Sequence, residues 1–319
     1  MTSLDGKNPF ERRSVSFKRF RPGDSDEEVT GPRVFIPYYV GDAGDRPQPN
    51  PFPAGVLSYW CEGIKITLPD GTPYTGGHVP RWPASTVVVD IANSGDRDAW
   101  AQVGLFWAVP TAGFAAKDLK RGPVLGSSTE MEVPAGTIVS SDPIKLLPAD
   151  VAPNHMCLIA VVDELLDGPS GSWDPTQDRH YAQHNLDVVP VGAGGMGVVT
   201  FQAANPFPDM SAVIEVVVRA ATTAELRTLA RRLHASPSEL EEAATKLVVV
   251  GQGGQDPTSE LRVELGGGET RACQALVWAD NLRPDEFVAI EVRTRATPLD
   301  GQQMAARNGS FGTVFYAGP

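Results

Sequence analysis

Apolar and polar positions alternate in short runs along most of the chain, and turn residues separate the runs. Ile64–Leu68 alternates and is followed by Asp70-Gly71, a turn pair. Thr86–Ile91 is a β-branched run that ends at Asn93-Ser94-Gly95-Asp96. Ala99–Val109 alternates in its first half and is dense in aromatics, so Trp100 and Phe106 are expected in a core. Met131–Val133, Ile138–Ser140 and Ile144–Leu147 are short strand candidates between Pro and Gly. His155–Asp163 is almost continuously apolar, the pattern of a strand buried on both faces. Tyr181–Val189 closes the series. Many short strands with turns between them predict a β-sandwich or barrel.

A second series follows Gly192–Gly195, a flexible stretch poor in side chains. It runs through Val198–Ala203, Ala212–Arg219, Leu247–Val250, Leu261–Leu265, Arg271–Trp278, Phe287–Thr294 and Thr313–Tyr316. Two helices are predicted inside it. Thr222 and Glu225 have capping-box spacing, and Leu226, Leu229, Ala230 and Leu233 fall on one face. Ser236-Pro237-Ser238-Glu239 offers a second helix start, with Leu240, Ala243, Ala244 and Leu247 on one face. The pattern predicts an all-β fold of two immunoglobulin-like β-sandwich domains, 54–191 and 198–319, with a linker at 192–197. The second carries a helical hairpin near 223–246. Residues 1–53 are expected to form an extended arm: residues 22–33 read as an acidic linker, Val34–Val40 as a short edge strand, and 46–53 carry four prolines.

Charge sharpens this picture. The chain of 319 residues has net charge −12, which disfavours nucleic acid as a partner because phosphate neutralisation needs clustered Lys and Arg. Residues 1–21 nevertheless carry +4, and hold Phe10, Phe17 and Phe20 among Arg12, Arg13, Lys18 and Arg19. Three aromatics in a basic arm predict docking to a protein partner rather than a purely solvated tail. No stretch approaches the ~20 apolar residues of a membrane span. Residues 1–21 lack the apolar run of ~7–15 residues of a secretory signal, so cytoplasmic synthesis is expected. Three cysteines, Cys61, Cys157 and Cys273, are too few and odd in number for a disulfide framework.

Four segments in order carry a family resemblance. They are Ile91-Ala92-Asn93-Ser94-Gly95, the strand Ala101–Pro110, the strand His155–Val162 with His155 and Cys157, and the stretch Arg179–Leu186 with Ala182, Gln183 and Asn185. Together they resemble the CARDB type of immunoglobulin-like accessory domain found beside bacterial extracellular enzymes. Arg179 and His180 stand where that family has an Asn pair. The resemblance implies a β-sandwich with a binding or structural role and no catalytic site, with Asn93, Gly95, His155, Cys157, Ala182, Gln183 and Asn185 as structural motif positions.

Candidate chemistry is sparse. His180 and His184 have HxxxH spacing, but Tyr181 stands where a zinc hydrolase needs its general-base Glu. On a strand the two would lie roughly 13 Å apart, too far for one metal. His155 and Cys157 on one strand would sit ~7 Å apart, too far for direct thiol activation. GAGGMG at 192–197 precedes a strand pattern rather than the helix N-terminus a phosphate loop needs. Trp60, Trp82, Trp100, Trp107, Trp173 and Trp278, with Tyr59 and Tyr74, could line a sugar-binding face.

These readings lead to a non-catalytic structural or adaptor subunit, with no cofactor, no metal and no catalytic residue. It is expected to dock through its arm and sandwich edges to other subunits, or to copies of itself, in a bacterial phage-like or injection-type assembly. A released particle would reconcile the missing signal with a usually extracellular family. A glycan-binding module is the alternative, and a metal-dependent hydrolase ranks behind both.

Overall fold

The computed structural model describes residues 31–46, 52–74, 85–108, 126–146, 157–170, 174–191, 195–241, 244–250, 258–280, 282–299 and 307–317. They are built mainly of strands. In chain order these are β1 (Val34–Phe35), β2 (Ile64–Thr67), β3 (Thr86–Asn93), β4 (Ala99–Ala108), β5 (Gly126–Ser127), β6 (Met131–Val133), β7 (Ile138–Ser140), β8 (Ile144–Lys145), β9 (Cys157–Glu164) and β10 (Tyr181–His184). The second half holds β11 (Leu186–Val191), β12 (Met196–Ala204), β13 (Ala212–Ala220), helix α1 (Thr223–Leu233), β14 (Ser236–Pro237), β15 (Thr245–Val249), β16 (Glu260–Leu265), β17 (Thr270–Trp278), β18 (Glu286–Pro298) and β19 (Arg307–Ala317). The all-β class follows directly from this inventory.

Among the described residues, two layered pairs of sheets form. In the first, β1-β3-β2 with β7 and β8 packs against β10-β9-β4-β5 with β6. Alternation decides which side chains meet. Val87, Val89 and Ile91 of β3 face Ala101, Val103 and Leu105 of β4 and Leu158, Ala160 and Val162 of β9 in one buried cluster. In the second pair, the sheet β11-β19-β18-β13-β16, with β14 added to β18, packs on the sheet β12-β17-β15. Its core joins Phe201, Leu247, Ala275 and Val277 to Ile214, Val216, Val263, Ile290, Val292, Phe311 and Phe315.

A third apolar cluster joins the pairs. Leu57, Tyr59 and Trp60 pack with Leu226 and Leu229 of α1 on Phe287, Ala289 and Val314, the outer side of the larger second sheet. Helix α1 forms where its capping box predicts: Thr222 Oγ1 accepts from Glu225 N, and the Glu225 side chain accepts from Thr222 N. It ends at His234, which is in the left-handed conformation with φ 52° and ψ 37°.

Three expectations are corrected. The arm was expected to extend through residue 53, yet residues 34–38 lie in the body: Val34, Phe35, Ile36 and Tyr38 are fully buried. Tyr38 stacks on Phe52 at 4.4 Å, and a buried Asp42–Arg46 ion pair at 3.0 Å closes the loop behind it. The second helix is absent from the described residues of 236–247. Ser236 N donates to Asp285 O at 3.0 Å and Ser238 N to Phe287 O at 2.7 Å, so the sheet edge takes the donors a helix start would have left over. Leu247 then belongs to β15 and the core. Tyr181–Val189 is two strands rather than one. β10 pairs antiparallel with β9, whereas β11 runs parallel to β19, so the chain changes sheets at Asn185, ahead of the predicted Gly-rich linker. Within that linker, Met196 and Gly197 already belong to β12, and residues 192–194 lie outside the described residues.

Candidate interaction surface

Asn93 is fully buried at the end of β3 and ties three segments together. Its Oδ1 accepts from Arg33 N and Gly95 N, both at 3.0 Å. Its Nδ2 donates to Arg97 O at 2.8 Å and Val133 O at 2.9 Å. Gly95 is required by close approach, since a Cβ there would overlap the Gly31 carbonyl and lie 2.7 Å from Arg33 N. The Asn-Ser-Gly motif is thus a clamp that holds the entering chain against the β3–β4 turn. Asn205 acts alike in the second half, donating to Met210 O, Leu265 O and Gly266 O at 2.7–3.1 Å.

Gln183 and Asn185 sit where the two sheet pairs meet. Gln183 N donates to Tyr38 Oη at 2.9 Å, and its Nε2 donates to Ser58 O at 2.8 Å. The Cys157 thiol donates weakly to Gln183 Oε1 at 3.6 Å. Asn185 N donates to Tyr59 O at 2.7 Å, its Nδ2 to Ser310 O at 2.9 Å, and Gly312 N donates to its carbonyl at 3.1 Å. A Cβ at Gly312 would overlap the Tyr59 ring. Ala182 is buried in the first core. The sequence reasoning missed Glu291, a buried carboxylate at this joint. It accepts from Ser58 Oγ at 2.9 Å and pairs with Arg219 and with Arg293 Nε at 2.9 Å. Its signal was available: one acid interrupts the apolar run 287–292.

His180 precedes β10 and lies between two carboxylates. Its Nδ1 is 2.6 Å from Asp178 Oδ1, and its Nε2 is 3.5 Å from Asp167 Oδ1. Burial works to lower its pKa, but hydrogen bonds to Asp167 and Asp178 and their charges prevail and raise it to about 9. Asp167 also pairs with Arg179 and accepts from Val34 N at 2.6 Å, so this cluster fastens the β9–β10 loop to β1. His184 differs. It is buried against Trp60, with ring centroids 4.7 Å apart, and burial together with the nearby Arg232 charge lowers its pKa to about 4. The two imidazoles therefore sit in separate environments, and no group of three metal-ligating side chains occurs among the described residues. Cys61, Cys157 and Cys273 are buried free thiols whose pKa burial pushes up.

The outer face of β4 presents a different chemistry. Trp100, expected in the core, is 57% exposed, because it shares the parity of Gln102 while Ala99, Ala101, Val103 and Leu105 point inward. Trp100 pairs with Glu132 of β6, and Gln102 pairs with Asp163 of β9. Glu130, Glu132 and Asp163 are exposed and form no ion pair among the described residues. The register that pairs Ala101 with Glu164 brings Leu165, 94% exposed, to the end of the strand beside Trp100, and Leu166, 76% exposed, follows. An exposed indole flanked by carboxylates and two leucines is suited to hold basic and apolar side chains together.

Phe10, Arg12, Arg13, Phe17, Lys18, Arg19 and Phe20 lie outside the described residues, as does His155. Of the aromatics considered for sugar binding, Tyr59 and Trp60 are buried, Tyr74 and Trp278 are half-buried, and Trp82 and Trp173 lie outside the described residues.

No protein-family profile matches this sequence, and no curated protein matches it. Solved structures give distant similarities only. One is the Escherichia coli alpha-2-macroglobulin activated by porcine elastase, 11% identical over 80% of this chain and 24% of that chain, with a TM-score of 0.25. Another is red sea bream transglutaminase, 12% identical over 80% of this chain and 31% of that chain, with a TM-score of 0.23. A third is the CFA/I enterotoxigenic E. coli adhesin CfaE, 7% identical over 91% of this chain and 94% of that chain, with a TM-score of 0.25. The chain spans about a quarter of the first of these proteins and about a third of the second.

Proposed function

We propose that this chain is a non-catalytic structural or adaptor subunit made of two immunoglobulin-like sandwich domains. It docks through its N-terminal arm and sandwich edges to other subunits of a bacterial assembly of the phage-like or injection type, and it is made in the cytoplasm. The observation that carries this reading is how the polar groups are used. Asn93, Gln183, Asn185, His180 and Glu291, the residues most suited to chemistry, are spent on bracing strands and joining the two sheet pairs. The exposed apolar groups Trp100 and Leu165 lie at the same end of the first pair instead, with exposed Leu166 next in the chain. Buried bracing and an exposed apolar patch suit a rigid binding element. An edge strand such as β16 gives a neighbour's extended segment a place to pair.

The test is the native mass of the full chain and of a version lacking residues 1–30, which leaves β1 and the Asn93 clamp intact, with co-purifying proteins identified. A larger assembly or a specific partner that disappears with the arm supports the proposal. Identical monomers with nothing bound overturn it, and sugar binding abolished by Trp100→Ala would redirect the reading to a glycan module.

A further inference from the structure

We propose that the basic aromatic segment 7–21 of this chain binds the outer face of β4, with its arginines over Trp100 and its phenylalanines against Leu165 and Leu166. The inference rests on the reading of the arm as a docking device and names the surface of its own body that the arm covers until another subunit takes it. Three observations bring the two together.

The first is position. The described chain begins at Gly31, which is pinned to the β3–β4 turn: Gly31 N donates to Asp96 Oδ1 at 2.6 Å, and Asp96 N donates to Gly31 O at 3.2 Å. Trp100 lies just beyond this turn, at the second residue of β4. The arm therefore leaves the body at the end of the sheet where the exposed patch sits. Between Arg21 and Gly31 the chain can span roughly 33 Å when extended, ample to return along β4.

The second is charge. Segment 1–21 has net charge +4, while the rest of the chain carries −16. On the outer face Trp100 is opposed by Glu132 and Gln102 by Asp163, with exposed Glu130 just before β6 in the chain. An indole with carboxylates beside it is complementary to guanidinium, which stacks on the ring and pairs with the acids at once.

The third is apolar balance. Leu165 and Leu166 stand in solvent at 94% and 76% exposure. Phe10, Phe17 and Phe20 are equally costly in water, and covering one set with the other removes both from it. Lys and Arg between the aromatics keep the segment soluble when undocked.

Chymotrypsin cleavage after Phe10, Phe17 and Phe20 in the full chain tests this, at low ionic strength and with unfolding midpoints measured in parallel. Docking predicts that the arm of the native chain is cut at least about 5-fold more slowly than that of Trp100→Ala or Leu165→Ser, and that salt removes the difference. Glu132→Arg with Asp163→Arg should speed cleavage similarly, and adding Arg12→Glu with Arg13→Glu should restore protection. Rates within twofold of the native chain in Trp100→Ala, with the body still folded, overturn the proposal. If the mass of the assembly still falls on removing residues 1–30 in that case, the docking role stands and only this receptor surface is refuted.

Discussion

Asn93→Ala removes four hydrogen bonds with one side chain. Oδ1 leaves the N–H groups of Arg33 and Gly95, and Nδ2 leaves the carbonyls of Arg97 and Val133. The groups do not lose equally. The bond to Val133 O is buried, so that acceptor stays unpaired at about 1–3 kcal/mol. The other three bonds are part-buried, so water recovers some of each and about 0.5–1 kcal/mol apiece remains. A total of about 2.5–6 kcal/mol is large against the roughly 5–15 kcal/mol of a typical domain. Ser94→Ala is the control, because Ser94 Oγ makes only long contacts of 3.4 and 3.5 Å and should cost less than about 0.5 kcal/mol. Equilibrium denaturation by urea, followed by the fluorescence of the first half, reads both variants. Equal midpoints for Asn93→Ala and Ser94→Ala would refute the clamp, since water would then be replacing every bond.

Gly312→Ala should destabilise the joint by about 1–3 kcal/mol, read as a lower melting temperature, because its Cβ overlaps the Tyr59 ring where that ring is fully buried. Tyr59→Leu in the same background should recover part of the loss. His184, with its pKa lowered to about 4, binds its proton more weakly folded than unfolded. Stability should therefore fall as pH drops from about 6.5 to about 4, by up to about 3 kcal/mol, and His184→Leu should flatten that limb. His180 has the opposite sign: with its pKa raised to about 9, its contribution is full below about 6.5 and is lost as pH rises through 9. His180→Asn should flatten the alkaline limb, and unchanged pH profiles would contradict both assignments. The three buried thiols should resist alkylation in the native chain and react together only on unfolding; fast labelling of Cys61 at neutral pH would contradict its burial.

Local pattern carried much of the fold. The β-branched run 86–91 became β3, the apolar run after His155 became β9, and the Thr222–Glu225 box started α1, because each depends on neighbours in sequence. Asn93 and Gly95 were visible as a motif, but their role was not, since their partners lie at Arg33, Gly31 and Val133. The parity of β4 was also in the sequence. Ala99, Ala101, Val103 and Leu105 alternate with Trp100 and Gln102, and weighting the aromatic above its polar neighbour hid the exposed face.

Tertiary structure alone decided the rest. Ser236-Pro237 has good helix-start chemistry, yet hydrogen bonds to Asp285 and Phe287, distant in sequence, outweigh a local cap. Asn185 looks like one position in a continuous strand, but the ladder of β19 captures everything after it. Residues 34–38 read as part of an arm because a short apolar run between a linker-like stretch and the four prolines of 46–53 carries no record of the pocket that buries it. Sequence fixes which segments want to be strands and which side each residue favours. Which sheet a strand joins depends on pairing energy with partners a hundred or more residues away, and no local pattern encodes that.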